Sequence, residues 1–152
     1  GDPFTAAETA LENCALGSDA AAIVVDIHAE ATSEKMAMGY LLDGRVSLVN
    51  GTHTHAPSDD ARILPGGTAF VTDLGMCGDY DSIIGMKKEA ALDRFLTENS
   101  SARLEPADGE ATLSAVLVET DDKTGLARTI EPLRMGGRLA PRWPGGKDEP
   151  AP

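Results

Sequence analysis

Apolar and polar positions along the chain switch between helical and strand periods. Asp2-Pro3 opens a helix, with the aspartate as N-cap and the proline at the first helical position. Phe4, Ala7, Leu11 and Cys14 then recur at helical spacing, and Gly17 closes the segment. Residues 20–26 run apolar up to Asp26, the pattern of a strand covered on both faces. Thr32 or Ser33 can cap a second helix reaching about Leu42, with Gly44 as its stop. Residues 46–49 and 68–72 read as two further buried strands. Helices alternating with such strands predict an α/β layered domain.

The pattern changes after Gly85. Residues 87–97 form a helical period with Ala91, Leu92, Phe95 and Leu96 on one face. Residues 112–119 and 126–130 flank Thr-Asp-Asp-Lys-Thr-Gly, which predicts an antiparallel hairpin. From Gly136 onward the chain is crowded with glycine and proline, so residues 136–152 are expected to be a disordered tail and residues 1–135 the folded unit. The chain holds no internal repeat.

Composition narrows the classes. A chain of 152 residues is one domain or a large part of one. At 41% apolar residues it can build a core, and with 4% aromatics that core is aliphatic. A net charge of −12 argues against duplex nucleic acid or an anionic membrane as partner, since both need clustered Lys and Arg. No apolar run approaches the ~20 residues of a membrane span, and no signal peptide is visible. Cys14 and Cys77 have no metal spacing between them, so two free thiols in a cytoplasmic protein are expected. The chain starts Gly-Asp-Pro without an initiator methionine, which reads as processed material or part of something longer.

The candidate chemistry lies in the histidines. There are three, and all fall at or just beyond the carboxyl ends of apolar strands: His28 after Ile-Val-Val-Asp-Ile, His53 and His55 after Ser-Leu-Val-Asn-Gly-Thr. In open α/β sheets the crevice at the strand C-termini is where ligands bind, and imidazole is the commonest transition-metal ligand. In extended chain, residues i and i+2 project to one side, so Thr-His-Thr-His is predicted to aim both imidazoles into one cavity. A lone histidine would be read as an ordinary hydrogen-bonded or surface residue; three placed alike, with none elsewhere, favour a metal site. Amidohydrolases and metallo-β-lactamases share a His-x-His pair. The first need later histidines, and none follows His55; the second want aspartate where this chain has Pro57.

At this point the string from Asp26 to Met86, with His-Ala-Glu-Ala-Thr-Ser-Glu-Lys, Gly-Thr-His-Thr-His and Ile-Leu-Pro-Gly-Gly-Thr-Ala as its most specific parts, resembles the YmdB-type branch of the calcineurin-like metallophosphoesterases. The resemblance runs from about Asp2 to Ile130 and matches the C-terminal half of that family. It implies the C-terminal part of an αββα sandwich with a dinuclear centre of two divalent metal ions, usually iron or manganese. It also implies hydrolysis of phosphodiesters, notably 2′,3′-cyclic nucleotides. Matched residue by residue, His28 and His53 resemble ligands of one ion and His55 a ligand of the other. The family's remaining ligands and its proton-donating histidine lie in a half with no counterpart here, so the chain alone is expected to be inactive. A metal pair ~3.5–4 Å apart inverts the local field, polarises phosphoryl oxygens and makes a bridging water nucleophilic. A small phosphodiester could then approach a chain of this charge. The alternative is a non-catalytic metal-binding or interaction module, and a homo-oligomer is compatible with either.

Other residues remain open or plain. Asp26 can orient a ligating histidine or cap the strand end. Thr32 and Ser33 are explained by helix capping more simply than by an anion site. Glu30, Glu34 and Lys35 belong to the resembling string without a readable role. Residues 73–85, rich in glycine and aspartate, can border the site or merely turn. Met36 and Met38 read as core, and Asp121 and Asp122 as a solvated hairpin tip.

Overall fold

A computed structural model of the chain describes residues 1–98 and 101–146. The first helix, α1 (Pro3–Leu11), begins where Asp2 accepts the backbone N–H groups of Phe4 and Thr5, satisfying two donors that the helix leaves unpaired. Strand β1 (Val24–His28), helix α2 (Thr32–Leu41) and strand β2 (Leu48–Thr52) form a parallel βαβ unit. Strands β3 (Arg62–Ile63) and β4 (Ala69–Val71) complete a sheet of order β1-β2-β4-β3, in which β4 runs parallel to β2 and β3 antiparallel to β4. Ile27, Met38, Leu42, Val46, Val49, Leu64 and Phe70 make the core, with Phe4, Ala7 and Leu11 of α1 packed against it.

A second sheet follows: β5 (Gly78–Asp79), β6 (Ala111–Thr120) and β7 (Ala127–Met135), all antiparallel, with helix α3 (Lys88–Leu96) between β5 and β6. Its hairpin tip is fastened to the first sheet, because the buried Ser47 hydroxyl donates to the Gly125 carbonyl at 2.7 Å and Ala127 N–H donates to Gly67. The α/β class expected from the sequence is the class observed.

Several expectations need correction. Among the described residues, strand β1 is not covered on both faces. It is the edge of the sheet that these residues form, Ile27 is its one buried residue, and Val24 is 62% exposed on the face shared with Asp26 and His28. A continuous apolar run cannot report which face finds a partner. Thr32 and Ser33 do not cap α2; they lie inside its first turn, and Ala31 occupies the cap position with no side-chain bond. In α3 only Ala91 is buried, while Phe95 stands 83% exposed, so the apolar face read from the spacing is not packed inward. Asp121 is not merely solvated: it accepts the N–H groups of Lys123 and Thr124 and pairs with Arg128. The span expected to be a disordered tail is tied back over its described part. Arg142 exchanges backbone hydrogen bonds with Arg134 and pairs with Asp59, and residues 147–152 lie outside the described residues. Cys14 and Cys77 are both free thiols. Among the described residues no helix is long and apolar enough to cross a membrane.

Candidate metal centre

Strands β1 and β2 run side by side with His28 in register with Thr52, so both strands deliver their last residues to one end of the sheet. Asn50-Gly51, which looks like a turn, is strand: both residues are buried in β2. A Cβ at position 51 would stand 1.9 Å from the Thr72 carbonyl oxygen and 2.6 Å from Lys35 Cδ. Glycine is there because another backbone and a side chain approach closely.

A hydrogen-bond relay sets the orientation of His28. The Thr52 hydroxyl donates to Asp26 Oδ1 at 3.3 Å, and its oxygen is 3.1 Å from His28 Nδ1. With the threonine proton directed to Asp26, Nδ1–H of His28 donates to Thr52, and the lone pair of Nε2 is left facing outward. That nitrogen lies 3.2 Å from His53 Nδ1, and the two rings meet edge to face with centroids 5.1 Å apart. Asp26 therefore orients the histidine through Thr52, a link the sequence reading did not contain.

After Thr52 the chain does not continue extended. His53 has φ 137° and His55 φ 63°, both in the region that favours glycine. Each such residue costs on the order of 1–3 kcal/mol and persists only where the surroundings over-determine it. The expected extended conformation is thus overturned: the segment bends, His53 meets His28, and all three histidines are exposed. Among the described residues, no group of three histidine, cysteine, aspartate or glutamate side chains is gathered that could hold a metal.

The bend rests on a buried carboxylate. Asp73 Oδ2 accepts Thr54 N–H at 2.9 Å and lies 3.0 Å from Lys35 Nζ, while Oδ1 accepts Gly75 N–H at 2.9 Å. Burial pushes the Asp73 carboxyl up, but the Thr54 and Gly75 amides and the Lys35 ammonium together hold it below its ordinary value. Asp60 is held more strongly: burial opposes, yet the Thr72 and Ser58 hydroxyls, the Thr72 amide and Arg62 bring it down to about 2. The sequence marks Asp73 only as the first residue of a loop that can border the site, and does not mark Asp60. One signal was available, since Lys35 falls at helical spacing with the core residues Met38 and Leu42 and so occupies the buried face of α2.

The donor pair suits a metal ion. Imidazole nitrogens bound at ~2.0–2.1 Å to one ion stand about 3 Å apart when the angle at the ion is near tetrahedral or a right angle. The His28–His53 separation of 3.2 Å matches that span.

A family model described as YmdB-like protein matches residues 1–133. The chain belongs to the YmdB-like family. It is 48% identical over 130 residues to a protein of Bacillus subtilis (strain 168) named 2′,3′-cyclic-nucleotide 2′-phosphodiesterase, covering 86% of this chain and 48% of that one. A solved structure of a hypothetical protein from Thermus thermophilus superposes with a TM-score of 0.80 at 43% identity, covering 90% of this chain and 52% of the other. A structure described as a novel phosphatase of Mycoplasma pneumoniae gives 0.79 at 37% identity, covering 89% and 47%. The chain spans about half the length of these relatives.

Proposed function

We propose that this chain is the histidine-bearing part of a metal-dependent phosphodiesterase acting on small phosphodiesters such as 2′,3′-cyclic nucleotides. The observation that carries the reading is the approach of His28 Nε2 to His53 Nδ1 at the end of β1 and β2. The family membership and the printed name of the Bacillus relative support the substrate class. The activity belongs to the whole enzyme, of which residues 1–135 are proposed as one half of the catalytic domain.

Within that reading His28 and His53 hold one divalent ion and His55, two residues further along the same bend, holds the second; iron or manganese is the proposed metal. Bound ions supply the positive charge that draws a phosphodiester towards a chain of −12 and polarise its phosphoryl oxygens. The chain's own contribution is orientation. Thr52, aligned by Asp26, keeps the proton on His28 Nδ1 and leaves Nε2 as donor. Three neutral imidazoles offset none of the charge of two cations, so anionic ligands and a proton donor are assigned to the remainder of the enzyme. A cytoplasmic location and a homo-oligomer are consistent with this reading.

The test measures metal content and turnover of a 2′,3′-cyclic nucleotide with manganese or iron supplied, in the full-length enzyme and its His28→Ala, His53→Ala and His55→Ala variants. Each variant is expected to lose metal by more than the ~10–100-fold typical of changes behind the ligands. Full metal content in all three overturns the assignment. Metal bound by the unaltered full-length enzyme without any turnover would favour the alternative, a metal-binding module with no catalysis.

A further inference from the structure

Behind the exposed imidazole pair lies a buried ion pair that the proposed chemistry does not use. Lys35 of α2 is 0% exposed and Asp73, just past β4, is 2% exposed, with Nζ and Oδ2 3.0 Å apart. Such pairs are weak contributors to stability, because taking two charges from water offsets most of their attraction, and apolar residues of similar volume often serve as well. The reason for this one is found in what the carboxylate also holds. Oδ2 accepts the N–H of Thr54, the residue between His53 and His55, both of which carry positive φ.

Two further bonds hold the same stretch from the same side. Leu74 N–H donates to the Gly51 carbonyl at 3.0 Å, and Met76 N–H donates to the His55 carbonyl at 3.3 Å. The bend is therefore gripped before, within and after its histidines by residues 73–76. Its middle contact is the only one of the three made by a charged acceptor, and a charged acceptor binds an amide more strongly than a neutral one. The lysine stem reaches that acceptor by passing under β2 where Gly51 has no side chain to block it.

Resting on the metal-site reading above, we propose that Lys35 and Asp73 are positioning residues that set the Thr-His-Thr-His bend and so place His53 beside His28. Lys35 neutralises and locates the carboxylate, Asp73 draws the Thr54 amide inward, and the flanking histidine is thereby turned outward in a conformation it would not otherwise keep. Neither residue is a metal ligand.

Asp73→Asn keeps the shape but removes the charge and leaves a single side-chain acceptor for two amides; Lys35→Met keeps most of the stem and removes the cation. In the metal-free chain, nuclear magnetic resonance of the imidazole rings and of the Thr54 amide reports the bend directly. Both variants are expected to stay folded, to lose the contact between the His28 and His53 rings and to shift the Thr54 amide, with the His28–Thr52 bond retained. In the full-length enzyme, cobalt(II) affinity is expected to fall ~10–100-fold. A folded Asp73→Asn chain with unchanged ring contact, amide shift and cobalt affinity overturns the proposal. Unfolding of both variants overturns it too, since the pair would then hold the fold rather than the bend. If the unaltered full-length enzyme takes up no cobalt, the metal reading fails while the ring contact still decides the role of the pair.

Discussion

The ends of β1 and β2 deliver neighbouring histidines by opposite means. His28 is the last residue of a regular strand, oriented by one hydroxyl and one carboxylate. His53 follows a strand whose penultimate residue is a buried glycine, and it sits on a strained bend gripped from beneath by a buried carboxylate. The contrast shows where precision resides. A side chain at a strand end inherits its direction from the sheet register, whereas one on a bend inherits it from distant residues. Damage to the second kind can therefore begin far from the imidazole.

The largest expected effect tests that asymmetry at Gly51. Gly51→Ala places a methyl 1.9 Å from the Thr72 carbonyl oxygen, and that oxygen is backbone, so β2 or β4 must move. A loss of about 3 kcal/mol is expected, at the upper end of overpacking costs. It should be read as a lowered urea midpoint, accompanied by loss of the His28–His53 ring contact. A change below about 1 kcal/mol would mean that the β2 end is as tolerant as the β1 end.

Acid should loosen the β2 side next. Asp60 binds Ser58 and Thr72 beside the bend and titrates at about 2 when folded, against ~3.9 when unfolded. Between those values the unfolded chain binds more protons, so the stabilisation is fully present above about pH 5 and is lost as pH falls towards 2, roughly 2 kcal/mol in all. Asp73, also held low, acts in the same direction. Urea unfolding at pH 6 and pH 3 should show the loss, and Asp60→Asn should flatten it. An equal slope in the variant would remove Asp60 as its source.

The smallest effects sharpen the comparison by sign. His53→Gly relieves a positive φ and is expected to raise stability by about 1 kcal/mol or less. His28→Gly removes a strand residue and should lower it by about 0.5–1 kcal/mol. Thermal unfolding of the two variants decides this, and a shift of the same sign in both would show that the bend at His53 stores no strain.

Much of the first sheet was legible in the sequence because local rules act there. Asp2-Pro3 starts α1 where capping chemistry says it should, and the apolar runs mark β1, β2 and β4 to within a few residues. The three histidines stood out by type and by position after those runs. Their geometry did not, since Thr-His-Thr-His gives no sign that two of its residues adopt positive φ. Nor did Phe95 and Leu96 reveal that their helix leaves them outside.

By itself the sequence determined the α/β class, the order of the helices and longer strands and the candidate histidines, though not the two-residue strands β3 and β5, because periodicity, capping and residue type are properties of neighbours along the chain. Only the tertiary structure decided that β1 lies at the edge among the described residues and that Asn50-Gly51 is strand. It alone also decided that Lys35 and Asp73, 38 residues apart, meet beneath the bend. Those outcomes depend on what is brought close through space: a carbonyl where a Cβ would be, a carboxylate within reach of one amide. No window along the chain contains them.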